Sequence, residues 1–116
     1  MKHIEENMQI NCVRWFDLQY SNMKLLLHHS PNGGKRNARE AARFKHLGTR
    51  SGYPDLLLLY PAQGYLYLAI EMKSPKGKQS EYQKEYQKLI EDTGAKYVIC
   101  KSFEDFQREI KNYLKF

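Results

Sequence analysis

Cysteine is scarce: there are two in 116 residues, and neither Cys12 nor Cys100 belongs to a paired-cysteine motif. Their separation and their apolar, periodic surroundings predict two buried reduced thiols rather than a disulfide or a zinc site. Long apolar runs are missing too. The longest, Leu56 to Tyr60, falls far short of the roughly 20 residues that span a bilayer, and no signal-peptide pattern opens the chain. These absences predict a cytoplasmic protein with no membrane partner. No Ser/Gly/Pro-rich or repetitive stretch interrupts the chain, so residues 1–116 are expected to form one domain around one core. What remains is 41% hydrophobic and 28% charged, a globular balance, and the net charge of +6 favours a polyanionic partner such as nucleic acid.

Apolar residues Ile4, Met8, Cys12, Trp15, Phe16 and Leu18 recur at mostly helical spacing, which predicts an amphipathic helix from His3 to Tyr20. Glu5 and Gln9, four apart, share one flank of it. Leu25 to His28 reads as a first strand. A helix is expected over Ala38 to Leu47, with Ala41, Ala42, Phe44 and Leu47 available to pack. Further on, Ser80 followed by Gln83 matches a capping box opening a helix within Gln79 to Thr93, and Gly94 ends it. Lys96 to Cys100 is a strand, and Ser102 starts a last helix carrying Phe103, Phe106, Ile110 and Leu114 on one face. This order gives an α/β chain with a mixed sheet flanked by helices on both faces.

The centre of the chain carries the chemistry. Asp55 opens the apolar run Leu56 to Tyr60, Pro61 to Gly64 has turn composition, and Tyr65 to Glu71 returns as the second strand of a hairpin. The hairpin brings Asp55 beside Glu71, and the two-residue period places Glu71 and Lys73 on one face with Met72 on the other. Two carboxylates about 4 Å apart repel by roughly 4 kcal/mol at an effective dielectric near 20, so a divalent cation is their natural guest. Oxygen ligands with waters left in place describe Mg²⁺ or Mn²⁺. The same residues also suit an ordinary hairpin in which Asp55 caps a turn and Glu71 and Lys73 form a surface ion pair worth at most about 1 kcal/mol.

Between Lys35 and Arg50 stand Lys35, Arg36, Arg39, Arg43, Lys45, His46 and Arg50 against one acid, Glu40. A one-signed run that leads into Gly52-Tyr53-Pro54-Asp55 marks where phosphates would lie, and Asn32 with Gly33-Gly34 offers backbone N–H groups to an anion.

Pro54-Asp55 followed by Glu71-Met72-Lys73 resembles the PD-(D/E)XK nuclease signature. Glu5 and Gln9 ahead of Arg14-Trp15, Pro31 to Gly34 with Arg36, Lys45 with Gly48, Gly52 to Asp55, and Ser80 with Gln83 resemble its virus-type replication-repair branch, the VRR-NUC family. The resemblance runs from Glu5 to the last helix. It implies a restriction-endonuclease-like fold and a Mg²⁺- or Mn²⁺-dependent endodeoxyribonuclease leaving 5′-phosphate and 3′-hydroxyl ends. In that scheme Glu5, Asp55, Glu71 and a backbone carbonyl, that of Met72 or Ile70, hold the metal. Glu6 is the rival to Glu5 if the helix phase shifts by one. Lys73 positions the water, and Gln83 faces the site. Asn32, Lys35, Arg36, Arg39, Arg43, Lys45 and Arg50 contact DNA. Small members of the family resemble junction resolvases, which implies a homodimer acting on branched DNA such as a four-way junction.

Three alternatives stand beside this reading. A catalytically silent module could hold branched DNA with the same basic ridge, and an RNA-directed nuclease could use the same fold. His28-His29, Asn37 and His46 have roughly the order of an HNH nuclease, but that assignment leaves Asp55, Glu71 and Lys73 unexplained.

Overall fold

The computed structural model describes residues 2–30 and 37–115, with side chains from Ile4 onward. Helix α1 spans Lys2–Gln19 and a short 3-10 helix follows over Ser21–Leu26. Then come β1 (Leu27–His29), α2 (Ala38–His46), β2 (Leu56–Leu58), β3 (Leu68–Met72), α3 (Glu81–Asp92), β4 (Lys96–Cys100) and α4 (Phe103–Tyr113). The strands form one sheet in chain order; β1, β2 and β3 are antiparallel neighbours, while β3 and β4 run parallel, with α3 as the crossover.

The pleat sorts the two faces. Leu56, Leu58, Leu68, Ile70, Met72, Val98 and Cys100 are packed with Cys12 and Phe16 of α1 and with Phe106, Ile110 and Tyr113 of α4. Trp15 makes edge contacts with Tyr20, Phe103 and Phe106 and so ties α1 to α4. On the opposite face Ala69 and Tyr97 pack with Ile90, Ala95 and Tyr86 on and beside α3. This is the expected mixed sheet with helices on both faces. Both cysteines are buried free thiols, and burial pushes each up to about 12, which leaves them unreactive.

The capping residues work as their types require. Ser80 and Gln83 make both halves of the capping box on α3, Ser102 caps α4 by accepting from the Asp105 N–H, and Gly94 takes φ +102 just after α3.

Two boundaries move. The strand expected over Leu25 to His28 is 3-10 helix through Leu26, and Leu25 is 89% exposed. A uniform leucine run has no period from which a boundary could be read. The hairpin is also wider than its sequence suggests. Residues 65 to 67 do not pair with β2: the Leu66 N–H donates to the Gly94 carbonyl and the Lys96 N–H to the Tyr67 carbonyl, so this stretch has already turned toward β4. The turn closes on an Ala62–Tyr65 bridge with Gln63 at φ 54 and Gly64 at φ 84.

Candidate active site

The β2–β3 register pairs Leu56 with Ile70, which sets the two preceding and following residues, Asp55 and Glu71, at the same end of the hairpin. The approach to Asp55 is tightly built. Gly52 has φ +78, and a Cβ there would come within 3.1 Å of the Tyr82 Cβ on α3, so two independent constraints demand glycine. Pro54 is buried. Asp55 then joins three strands: its carbonyl accepts from the Ser30 N–H at 3.0 Å just past β1, and its Oδ2 accepts from the Met72 N–H at 2.6 Å on β3. Burial pushes the Asp55 carboxyl above its ordinary range. Glu71 and Glu5 add to that rise, while the Met72 hydrogen bond and His29 oppose it.

Glu71 is fully buried, the one charged side chain so placed among the described residues. That rules out the surface ion pair that the sequence left open. Its Oε1 accepts from the Tyr97 hydroxyl at 2.5 Å and from Gln79 Nε2 at 3.1 Å. Its Oε2 is buried with no hydrogen-bond partner, and the nearest cation, Lys73 Nζ, lies 3.8 Å away. At that distance the ammonium is an ion-pair partner rather than a hydrogen-bond donor. An orphaned carboxylate oxygen in a buried site is costly and calls for a cation.

Glu5 arrives from the other side of the sheet. Its Oε2 accepts from the Ser74 N–H at 3.2 Å, one residue past Lys73, whereas Glu6 is exposed. The helix phase therefore puts Glu5, not Glu6, at the end of β3. Gln9, one turn on, brings Nε2 to 3.0 Å from His29 Nδ1, which is itself 2.9 Å from the Asp55 carbonyl oxygen; the tautomer decides which of the two contacts that nitrogen makes.

Asp55 and Glu5 thus each spend an oxygen on a backbone N–H, and among the described residues no three His, Cys, Asp or Glu side chains stand close enough to form a metal cage. The donors are carboxylate oxygens, the hard ligand type that Mg²⁺ and Mn²⁺ take. Glu71 and Glu5 are near enough to Asp55 to raise its carboxyl, and Glu71 Oε2, ion-paired with Lys73 at 3.8 Å, receives no hydrogen bond.

Gln83 makes the capping-box contact that its spacing from Ser80 predicts. Its Oε1 accepts from the Ser80 N–H at 2.9 Å, within the capping box. The glutamine that reaches Glu71 is Gln79, and with Tyr97 it is a contributor that sequence reasoning missed. Tyr97 points to the face opposite Val98 on β4 and pairs with Ala69, so the face it occupies was readable from the strand period; its partner was not.

A family model for the VRR-NUC domain matches residues 4–104. The chain belongs to the VRR-NUC family. A solved structure described as a VRR_NUC domain protein superposes with a TM-score of 0.82 at 29% identity, covering 96% of this chain and 88% of that one. No curated protein matches.

A VRR-NUC assignment makes this a nuclease-type domain with DNA as its partner, and it sets the HNH reading aside. The basic ridge is exposed where it is described. On α2, Asn37 caps the helix by accepting from the Glu40 N–H, no residue is buried, and Arg39, Arg43 and Lys45 face solvent, as does Arg50 beyond it. Arg43 lies 5.4 Å over the Phe44 ring. Of the expected packing residues, Ala41 and Phe44 are half-buried, while Ala42 and Leu47 are exposed. Asn32, Gly33, Gly34, Lys35 and Arg36 lie outside the described residues. Among the described residues no helix is long and apolar enough to cross a membrane.

Proposed function

We propose that this VRR-NUC domain is a Mg²⁺- or Mn²⁺-dependent DNA endonuclease that cuts branched DNA, a four-way junction in particular, as a homodimer. The observation that carries the metal dependence is Glu71 Oε2, buried without a hydrogen bond beside Asp55 and Lys73. Glu71, Asp55 and Glu5 would hold the ion, with the Met72 carbonyl as a further oxygen. Once bound, the ion supplies Lewis-acid chemistry: it makes a water more acidic and offsets charge on the phosphate.

The chain's own residues do the rest. Lys73, held near Glu71 and only 16% exposed, orients the attacking water toward phosphorus and offsets developing negative charge. Water oxygen bonds to phosphorus as the bond to the 3′ oxygen breaks, leaving 5′-phosphate and 3′-hydroxyl ends. The exposed arginines and lysines of α2, with Arg50, hold the backbone without reading bases, so DNA shape sets preference. Two copies about a two-fold axis would present two such ridges and two sites to a symmetric junction.

Incubation of labelled four-way junction, flap, splayed-arm and linear duplex DNA with Mg²⁺, Mn²⁺ or EDTA tests the proposal. Metal-dependent cleavage, strongest on the junction, is expected. Cleavage that persists in EDTA, or none on any DNA with either metal, contradicts it.

A further inference from the structure

Glu71's two oxygens are not equivalent. Oε1 receives two donors, the Tyr97 hydroxyl and Gln79 Nε2, while Oε2 receives none. The Gln79 amide is in turn fixed in direction. Gln79 Nε2 also donates to Gln87 Oε1 at 2.8 Å, and Gln87 Nε2 donates to Glu91 Oε2 at 3.2 Å. An ionised carboxylate only accepts, so Glu91 sets which end of the Gln87 amide faces it. Gln87 must then turn its carbonyl to Gln79, and Gln79 must turn its N–H groups inward. The chain of amides along α3 ensures that Glu71 meets a donor and not a second carbonyl.

We infer that Tyr97 and Gln79 are positioning residues that saturate Glu71 Oε1 and so leave Oε2 as the oxygen with which Glu71 binds a divalent cation. Tyr97 comes from β4 and Gln79 from the turn before α3, so the carboxylate is held from two elements. Neither touches the reacting phosphate in this account. They fix the rotamer of a ligand, as partners of metal-binding carboxylates do elsewhere, where their loss typically costs about 10- to 100-fold in metal affinity. Because Glu71 is fully buried, removing either donor leaves Oε1 with one hydrogen bond and loosens the hold on the carboxylate. The inference rests on the metal dependence proposed above.

The test is calorimetric titration of Mn²⁺ into the metal-stripped full chain, with thermal unfolding of each protein with and without Mn²⁺. Tyr97→Phe removes the hydroxyl and keeps the ring; Gln79→Ala removes the amide at a half-buried position outside the core, so it serves if Tyr97→Phe does not fold. Tyr67→Phe is the control, since its hydroxyl meets Thr93 Oγ1 at 3.2 Å, away from Glu71. Mn²⁺ affinity about 10- to 100-fold weaker in Tyr97→Phe and in Gln79→Ala, with Tyr67→Phe like wild type, is expected. The rise in Tm on adding Mn²⁺ should shrink to match. Wild-type affinity and an undiminished Mn²⁺-induced rise in both variants, even with a lower metal-free Tm, would show a purely structural role and overturn the inference. A wild-type chain that binds no Mn²⁺ overturns the metal reading itself, and the inference with it.

Discussion

The Met72 N–H donates to Asp55 Oδ2 at 2.6 Å, so the strand that carries Glu71 also holds the carboxylate that opens β2. One backbone hydrogen bond therefore fixes the spacing of two acids that repel each other. It also opposes, without cancelling, the burial that raises the Asp55 carboxyl.

That rise has a pH signature. A carboxyl raised above its ordinary 3.8 binds its proton more readily in the folded than in the unfolded chain. The stability it confers is complete below 3.8 and is lost as pH rises through the folded value. Asp55→Asn stays neutral, and its carbonyl still accepts from Met72. In EDTA it should therefore raise Tm by several degrees at neutral pH and lose that advantage in acid. Thermal unfolding across pH checks this; a variant less stable than wild type at neutral pH contradicts it.

Glu5 and Glu6 are neighbours with different surroundings. Glu5 touches the Ser74 N–H at the end of β3, while Glu6 is exposed. Glu5→Gln should weaken Mn²⁺ binding and reduce cleavage by orders of magnitude, and Glu6→Gln should leave both near wild type. Calorimetry and cleavage assays giving the reverse order would move the ligand to Glu6.

Gln83 can be tested through its cap. Gln83→Ala breaks half of the capping box and should cost about 1 kcal/mol of stability, whereas Gln83→Glu keeps an acceptor for the Ser80 N–H and should cost less. Both should cleave DNA at close to the wild-type rate. A Gln83→Glu protein with wild-type Tm and lost cleavage would return this residue to the catalytic site.

Arg39 and Arg43 stand on a helix that buries none of its residues. If both lie on phosphates, neutralising them together should lower the log-affinity against log-salt slope by up to about 2, at roughly 0.9 per contact on duplex DNA. Cleavage at saturating DNA should change less. An unchanged slope in the double variant removes α2 from the interface.

Sequence carried the parts of this fold that depend on local chemistry. Ser80, Gly94 and Ser102 mark their helix ends because side-chain and backbone geometry at a cap are decided within a few residues, and Lys96 to Cys100 is a strand at the expected limits. The proximity of Asp55 and Glu71 was legible because a hairpin is the shortest-range tertiary contact a sheet makes. Illegible were the contacts that need two distant elements at once. The Tyr65 to Tyr67 stretch leaves β2 because Gly94, nearly thirty residues away in the chain, offers its carbonyl. Tyr97 and Gln79 reach Glu71 only once the parallel β3–β4 register and the α3 crossover are both in place. A capping glutamine and a site-facing glutamine four residues apart look alike until that crossover is built.

Single-turnover cleavage of a four-way junction by Glu71→Gln, Asp55→Ala and Lys73→Ala with Mn²⁺ tests whether these three residues form a metal-dependent phosphodiesterase site. Each variant should fold, bind junction DNA and lose several orders of magnitude in rate; rates within about tenfold of wild type in all three would contradict the account.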